Sequence, residues 1–131
     1  MTVLESLRRQ LEKYREMIAV VASQRAVFAS MDVDAILGLI ERKRAILAEV
    51  DALEAGLAPL KADWAKVRST FSGDEARAIE STLDETQQVL RELVRLEDEG
   101  RALLDRRRQE KTAVLDQLMS QSRARGAYGG R

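Results

Sequence analysis

The sequence predicts an all-α protein, an elongated antiparallel bundle of three long helices with coiled-coil-like packing. Three observations carry this expectation. Apolar residues recur at three-then-four spacing along most of the 131 residues, the pattern of amphipathic helices. Hydrophobic residues make up 45% of the chain, with Ala the commonest among them. Aromatics are only 4%, charged residues are 34% and there is a single proline, a balance that suits long helices and not a sheet protein. The third is the stretch from Ser72 to Met119, which contains no proline and carries a stripe at Ala76, Ile79, Leu83, Thr86, Leu90, Leu93, Gly100, Leu104, Val114 and Leu118. At about 1.5 Å per residue, an unbroken helix over this stretch is roughly 70 Å long. A rod of that length cannot bury its stripe against itself, so the rest of the chain is expected to lie along it.

A single helical domain is expected over 1–119, with helices at about 2–30, 33–70 and 74–119 and a flexible tail over 120–131. The first helix carries Leu4, Leu7, Leu11, Tyr14, Ile18, Val21, Arg25 and Phe28 in heptad alternation, with Arg25 alone off pattern. The Arg25 stem either lies along the seam with its guanidinium in water, or the residue is a partner-binding cation. Glu5 and Arg9 are spaced to pair across one turn. At the first junction Asp32 suits an N-cap, Asp34 suits the positive end of the helix dipole, and Met31 with Ile36 can form a hydrophobic staple. With neither Gly nor Pro there, the turn is expected to be short and to make antiparallel neighbours.

The second helix carries Val33, Ile36, Leu37, Ile40, Leu47, Val50, Leu53, Leu57, Leu60, Trp64, Val67 and Phe71 as its stripe. Its period slips near Val50 to Leu57, with Gly56 and Pro59 close by, so a kink or short break is expected near Pro59. Trp64 is either a core anchor or an exposed recognition residue. Ser72 followed by Glu75 reads as a capping box that starts the third helix. From Asp105 to Thr112 that helix has nothing apolar. Val114, Leu115, Leu118 and Met119 then return as an isolated cluster, and Gly-rich residues close the chain.

The charges balance, 22 basic against 22 acidic, and they balance within each half. Neither half is basic enough to neutralise a phosphate backbone, which argues against nucleic acid as the main partner. Met1 to Glu16 lacks the apolar core of a signal peptide, and the apolar run Met17 to Met31 is too short and too interrupted to span a bilayer. A soluble, cytoplasmic protein with no membrane insertion is therefore expected. With no Cys and no His, the common nucleophile and base arrangements, thiolate metal sites and Glu-x-x-His pairs are all missing. Glu97-Asp98-Glu99 cannot converge on a cation from one helix, since neighbours point about 100° apart. Arg106-Arg107-Arg108 is flanked by Asp105 and Glu110. No catalytic residue, cofactor or metal is expected, and the chain does not read as an enzyme. The feature that suggests activity is the cluster Val114, Leu115, Leu118 and Met119. It either caps the far end of the bundle or meets a second copy, or it pairs with an apolar face of another protein's helix.

Several stretches resemble a known family. Tyr14-Arg15-Glu16 in the first helix, the stretch from Ser30 to Leu47, Leu93 to Leu104 and the ending Ala127-Tyr128-Gly129 are similar to the FlgN-type flagellar export chaperones. Where members often carry Asn before the Leu-Leu of the last helix, this chain has Gly100-Arg101-Ala102. The resemblance implies a cytoplasmic type III secretion chaperone. Such a protein holds the C-terminal helical segment of hook-filament junction proteins, prevents premature assembly and delivers them to the export machinery. It implies substrate-binding residues at Val114, Leu115, Leu118 and Met119, with Tyr128. The competing expectation is a self-associating coiled-coil structural or adaptor protein, a homodimer through the same stripes.

Overall fold

The fold is that of a computed structural model that describes residues 1–129, with side chains through Ser120. It is all-α, and no strand occurs among the described residues. The helices are α1 (Val3–Ala22), α2 (Gln24–Ser30), α3 (Val33–Ala62), α4 (Trp64–Val67) and α5 (Gly73–Gly129), with a 3-10 turn at Arg68–Thr70.

α1 starts on a complete capping box. The Thr2 hydroxyl accepts from the Glu5 amide at 3.1 Å and the Glu5 carboxylate accepts from the Thr2 amide at 3.0 Å. Glu5 is thereby turned away from Arg9, its expected partner. The single first helix expected over 2–30 is divided at Ser23, whose hydroxyl donates to the Val20 carbonyl at 2.6 Å. A serine that bonds its own preceding turn competes with the helical ladder and bends the helix there. Ser23 keeps right-handed helical angles and its carbonyl accepts from Val27, so α2 resumes at once.

The first junction is as short as expected, but it is made by a strained residue. Met31 lies in the left-handed region at φ 53°, the one non-glycine to do so among the described residues. Asp32 then caps α3, its carboxylate accepting from the amides of Asp34 and Ala35 at 3.0 and 3.3 Å.

α3 passes through Pro59 and ends at Ala62, so the break expected near Pro59 falls at Asp63. Pro59 removes one amide from the last turns of α3, and Asp63 leaves helical angles at φ −140°. The second helix expected over 33–70 is therefore α3, α4 and the 3-10 turn in succession. α5 opens with half of the expected box, the Ser72 hydroxyl accepting from the Glu75 amide at 3.2 Å. Its helical backbone continues to Gly129, past the end expected at Met119. The expected tail over 120–131 falls almost wholly outside the described side chains.

α1 lies between α3 and α5 and touches both along its length. Partners on α3 fall in number as those on α1 rise: Gln10 meets Glu54 and Lys61, and Lys13 meets Glu49. α5 runs the other way, from Leu7 beside Ile79, through Arg15 with Glu85, to Gln24 beside Gly100. One apolar cluster joins Leu7, Leu57 and Ile79, with Leu83, Trp64 and Phe71 packed around them. A second joins Val20, Phe28 and Leu39, with Ile36, Ile46, Leu103 and Leu104 around it.

Because α1 has neighbours on two sides, it buries more than one heptad seam. Gln10, Met17 and Val20 are buried with Leu7, Leu11 and Val21, while Tyr14 and Ile18 of the expected seam are only half-buried. α3 departs most from expectation. Leu39, Val50, Leu57 and Leu60 are its buried residues, whereas Val33, Leu37, Ile40 and Leu47, placed on the core stripe from sequence, are exposed.

Candidate functional site

The C-terminal half of α5 carries the candidate site, and the first half fixes where it goes. Ala76 and Ile79 anchor α5 to α1, and the buried Thr82 and Thr86 satisfy their hydroxyls on the carbonyls of Ala78 and Thr82, each at 2.8 Å. Gly100 is the point of closest approach. A Cβ there would lie 2.7 Å from the Gln24 amide nitrogen and 3.6 Å from the Phe28 ring. Leu103 and Leu104 complete the second cluster. From Arg108 to Ser120 every residue is exposed.

Val114, Leu115, Leu118 and Met119 each keep between 53% and 59% of their surface exposed. They do not cap the end of the helices packed around α1. At about 100° per residue, Leu115 and Leu118 lie within about 40° of the direction of Leu104, so the patch prolongs the core-facing side of α5. The polar interval between them holds the basic cluster, where Arg107 lies 3.8 Å from Glu110. Tyr128 lies outside the described side chains. What this arrangement does chemically is limited to burial: an apolar row four residues wide, ready to lie along another helix.

The other residues singled out from sequence take ordinary places. Trp64 packs on the first cluster with its ring centroid 5.9 Å from that of Phe71. Its Nε1 is buried without an acceptor among the described residues. Glu97 pairs with Lys43 at 2.5 Å and Glu99 with Arg95 at 2.6 Å, so the acidic run is divided between two cations. Among the described residues no group of three His, Cys, Asp or Glu side chains is placed to hold a metal ion, and no helix is long and apolar enough to cross a membrane. Arg25 is exposed at the bend after α1. There it lines an open groove of about 420 Å³ with Val21, Leu96, Leu103 and Arg106.

Two features escaped sequence reasoning. One is the polar layer inside the bundle. Gln10 has no exposed surface; its amide nitrogen donates to Glu54 at 2.7 Å and its carbonyl accepts from Lys61 at 2.8 Å. Lys61 also meets Glu54 at 2.6 Å, closing a three-membered network. Burial opposes ionisation of Glu54, but the hydrogen bonds from Lys61 and Gln10 and the Lys61 charge outweigh it. They hold its carboxyl below the ordinary range. The other is the exposed row on α3. Its signal is the four-three spacing of Val33, Leu37, Ile40 and Leu47, which the expected stripe combined with Val50, Leu57 and Leu60 while omitting Leu39.

Comparison of the chain with protein-family models, with curated proteins and with solved structures returns no match.

Proposed function

We propose that the chain is a helix-binding protein with no catalytic step, a cytoplasmic export chaperone of the FlgN kind. In this reading it is an elongated antiparallel bundle of three long helices with coiled-coil-like packing, the second of them bent. The end of α5 is the arm that takes a substrate helix. Val114, Leu115, Leu118 and Met119, with Tyr128, are the binding residues, and the substrate is the C-terminal helical segment of a hook-filament junction protein on its way to the export machinery.

The observation that carries the reading is the projecting end of α5. Four large apolar side chains stay more than half exposed on one side of a helix that has left its neighbours. An unassembled subunit with a coiled-coil face is stable in water only if that face is covered, and an apolar row laid along it does so without chemistry. The resemblance in Ser30 to Leu47 and Leu93 to Leu104 supplies the class of substrate. The test is co-purification with hook-filament junction proteins of the same cell, full length and lacking their C-terminal helices. A one-to-one complex that needs those helices and is lost in Leu115→Asp and Leu118→Asp supports the reading. No complex with any flagellar subunit sinks it.

A further inference from the structure

The groove at the bend after α1 is continuous with the exposed end of α5. Leu96, Leu103 and Val21 give the groove its apolar lining, and Ala22, Gly100 and Ala102 are too small to fill the space of about 420 Å³. At about 100° per residue, Leu96, Leu103 and Val114 lie within about 20° of one direction around α5, and Leu118 within about 40° of it. The groove and the apolar end therefore share one side of the helix. From Leu96 to Leu118 that side is roughly 33 Å long at about 1.5 Å per residue.

Between its apolar ends the side is basic. Over the roughly three turns from Leu103 to Val114, Arg106, Arg107, Glu110 and Lys111 lie within about 80° of the same direction, while Asp105 points the opposite way. Arg25 adds a further cation from across the groove. Arg25, Arg106 and Lys111 have no ion-pair partner among the described residues, and Arg107 has only Glu110, at 3.8 Å. Glu99, the carboxylate that lines the groove, is engaged by Arg95 at 2.6 Å. The order along α5 is thus apolar, basic, apolar. An occupant that covers the whole side must be as long as it is and must bring carboxylates to its middle, because like charges set against these cations would oppose docking.

We infer that this side of α5 and the adjoining groove bind a helix of about 22 residues whose seam is apolar at both ends and acidic in the middle. The inference rests on the reading of the α5 end as the arm that takes a substrate helix, and it adds the class of helix selected. Fluorescence anisotropy of the full chain with two synthetic helical peptides of that length tests it. Both carry leucine at the seam positions of their outer turns, and the middle turns hold Glu in one and Lys in the other. The acidic peptide is expected to bind at least about tenfold more tightly than the basic one in low salt, with the gap narrowing as salt rises. Arg25→Glu combined with Arg106→Glu abolishes or reverses that preference without changing helicity, since both side chains are exposed. Leu118→Asp weakens both peptides at least about tenfold.

Binding of neither peptide at submillimolar concentration overturns the inference, as does an acidic preference that survives the double charge reversal. Binding that ignores Leu118→Asp removes the α5 arm and the inference with it. Binding that needs Leu118 but is equal for the two peptides leaves the arm and overturns the inference alone. A peptide affinity that falls as the concentration of the chain itself rises places a second copy on this side, which also overturns it.

Discussion

Polar side chains join the apolar clusters in fixing how α1 and α3 meet. Gln10, Glu54 and Lys61 form a closed network in which both the nitrogen and the oxygen of the buried amide have a partner, so the layer costs little while it is intact. Gln10→Ala leaves a cavity and withdraws a hydrogen bond from both Glu54 and Lys61. The expected loss is about 2 kcal/mol of unfolding free energy, read by urea denaturation. The Glu54 carboxyl lies below its ordinary range in the folded state, so its contribution is present above that range and is lost as pH falls through it. Melting curves of the unaltered protein and Glu54→Gln are accordingly expected to differ at neutral pH and to converge in acid.

Gly100 is set by the same kind of constraint. Gln24 is buried and accepts from Lys43 at 2.8 Å, so its amide cannot move away cheaply from a new methyl group. Gly100→Ala is expected to destabilise the fold despite the better helix propensity of Ala. Gly100→Ala combined with Gln24→Ala should recover most of the loss, a coupling read by a double-mutant cycle. Gly100 was legible as a stripe position of the long helix and is buried there, but its glutamine neighbours were not. Gln10 and Gln24 look like solvated positions until a third helix is known to cover them.

Among the elements, starts and caps were the most legible. Asp32 caps α3 and Ser72 caps α5 as their residue types require, because a cap depends on atoms within one turn. Breaks were less so. Pro59 marked the neighbourhood of a break but not its place, because a proline near the end of a helix removes a single bond and the chain carries on to Ala62. Ser23 gave no warning because its hydroxyl bond to Val20 is one of several it can make. Met31 closes the first junction in the left-handed region, where a side chain costs about 1 kcal/mol. Met31→Gly is therefore expected to raise stability by up to about 1 kcal/mol, seen as a higher urea midpoint with an unchanged slope.

Over the whole molecule, the packed part and the projecting part separate cleanly. The accessible surface is 9258 Å², against about 6,900 Å² for a compact monomer of this mass. Part of that excess lies in Arg108 to Ser120, where every side chain is exposed. Cutting the chain after Thr112 is expected to leave the unfolding free energy within about 0.5 kcal/mol of the full chain, since every described side chain beyond Thr112 is exposed. A larger loss would mean that the α5 end belongs to the core.

By itself the sequence determined that the chain is helical, where most helices start, and that an apolar cluster stands apart at Val114 to Met119. Periodicity and capping are local, and local chemistry is written in neighbouring residues. Only the tertiary structure decided which of the two apolar rows of α3 faces inward, that α1 is covered on two sides, and that Gln10 is buried. Those depend on where a distant helix lies. An apolar row reads the same in sequence whether another part of the chain covers it or nothing does.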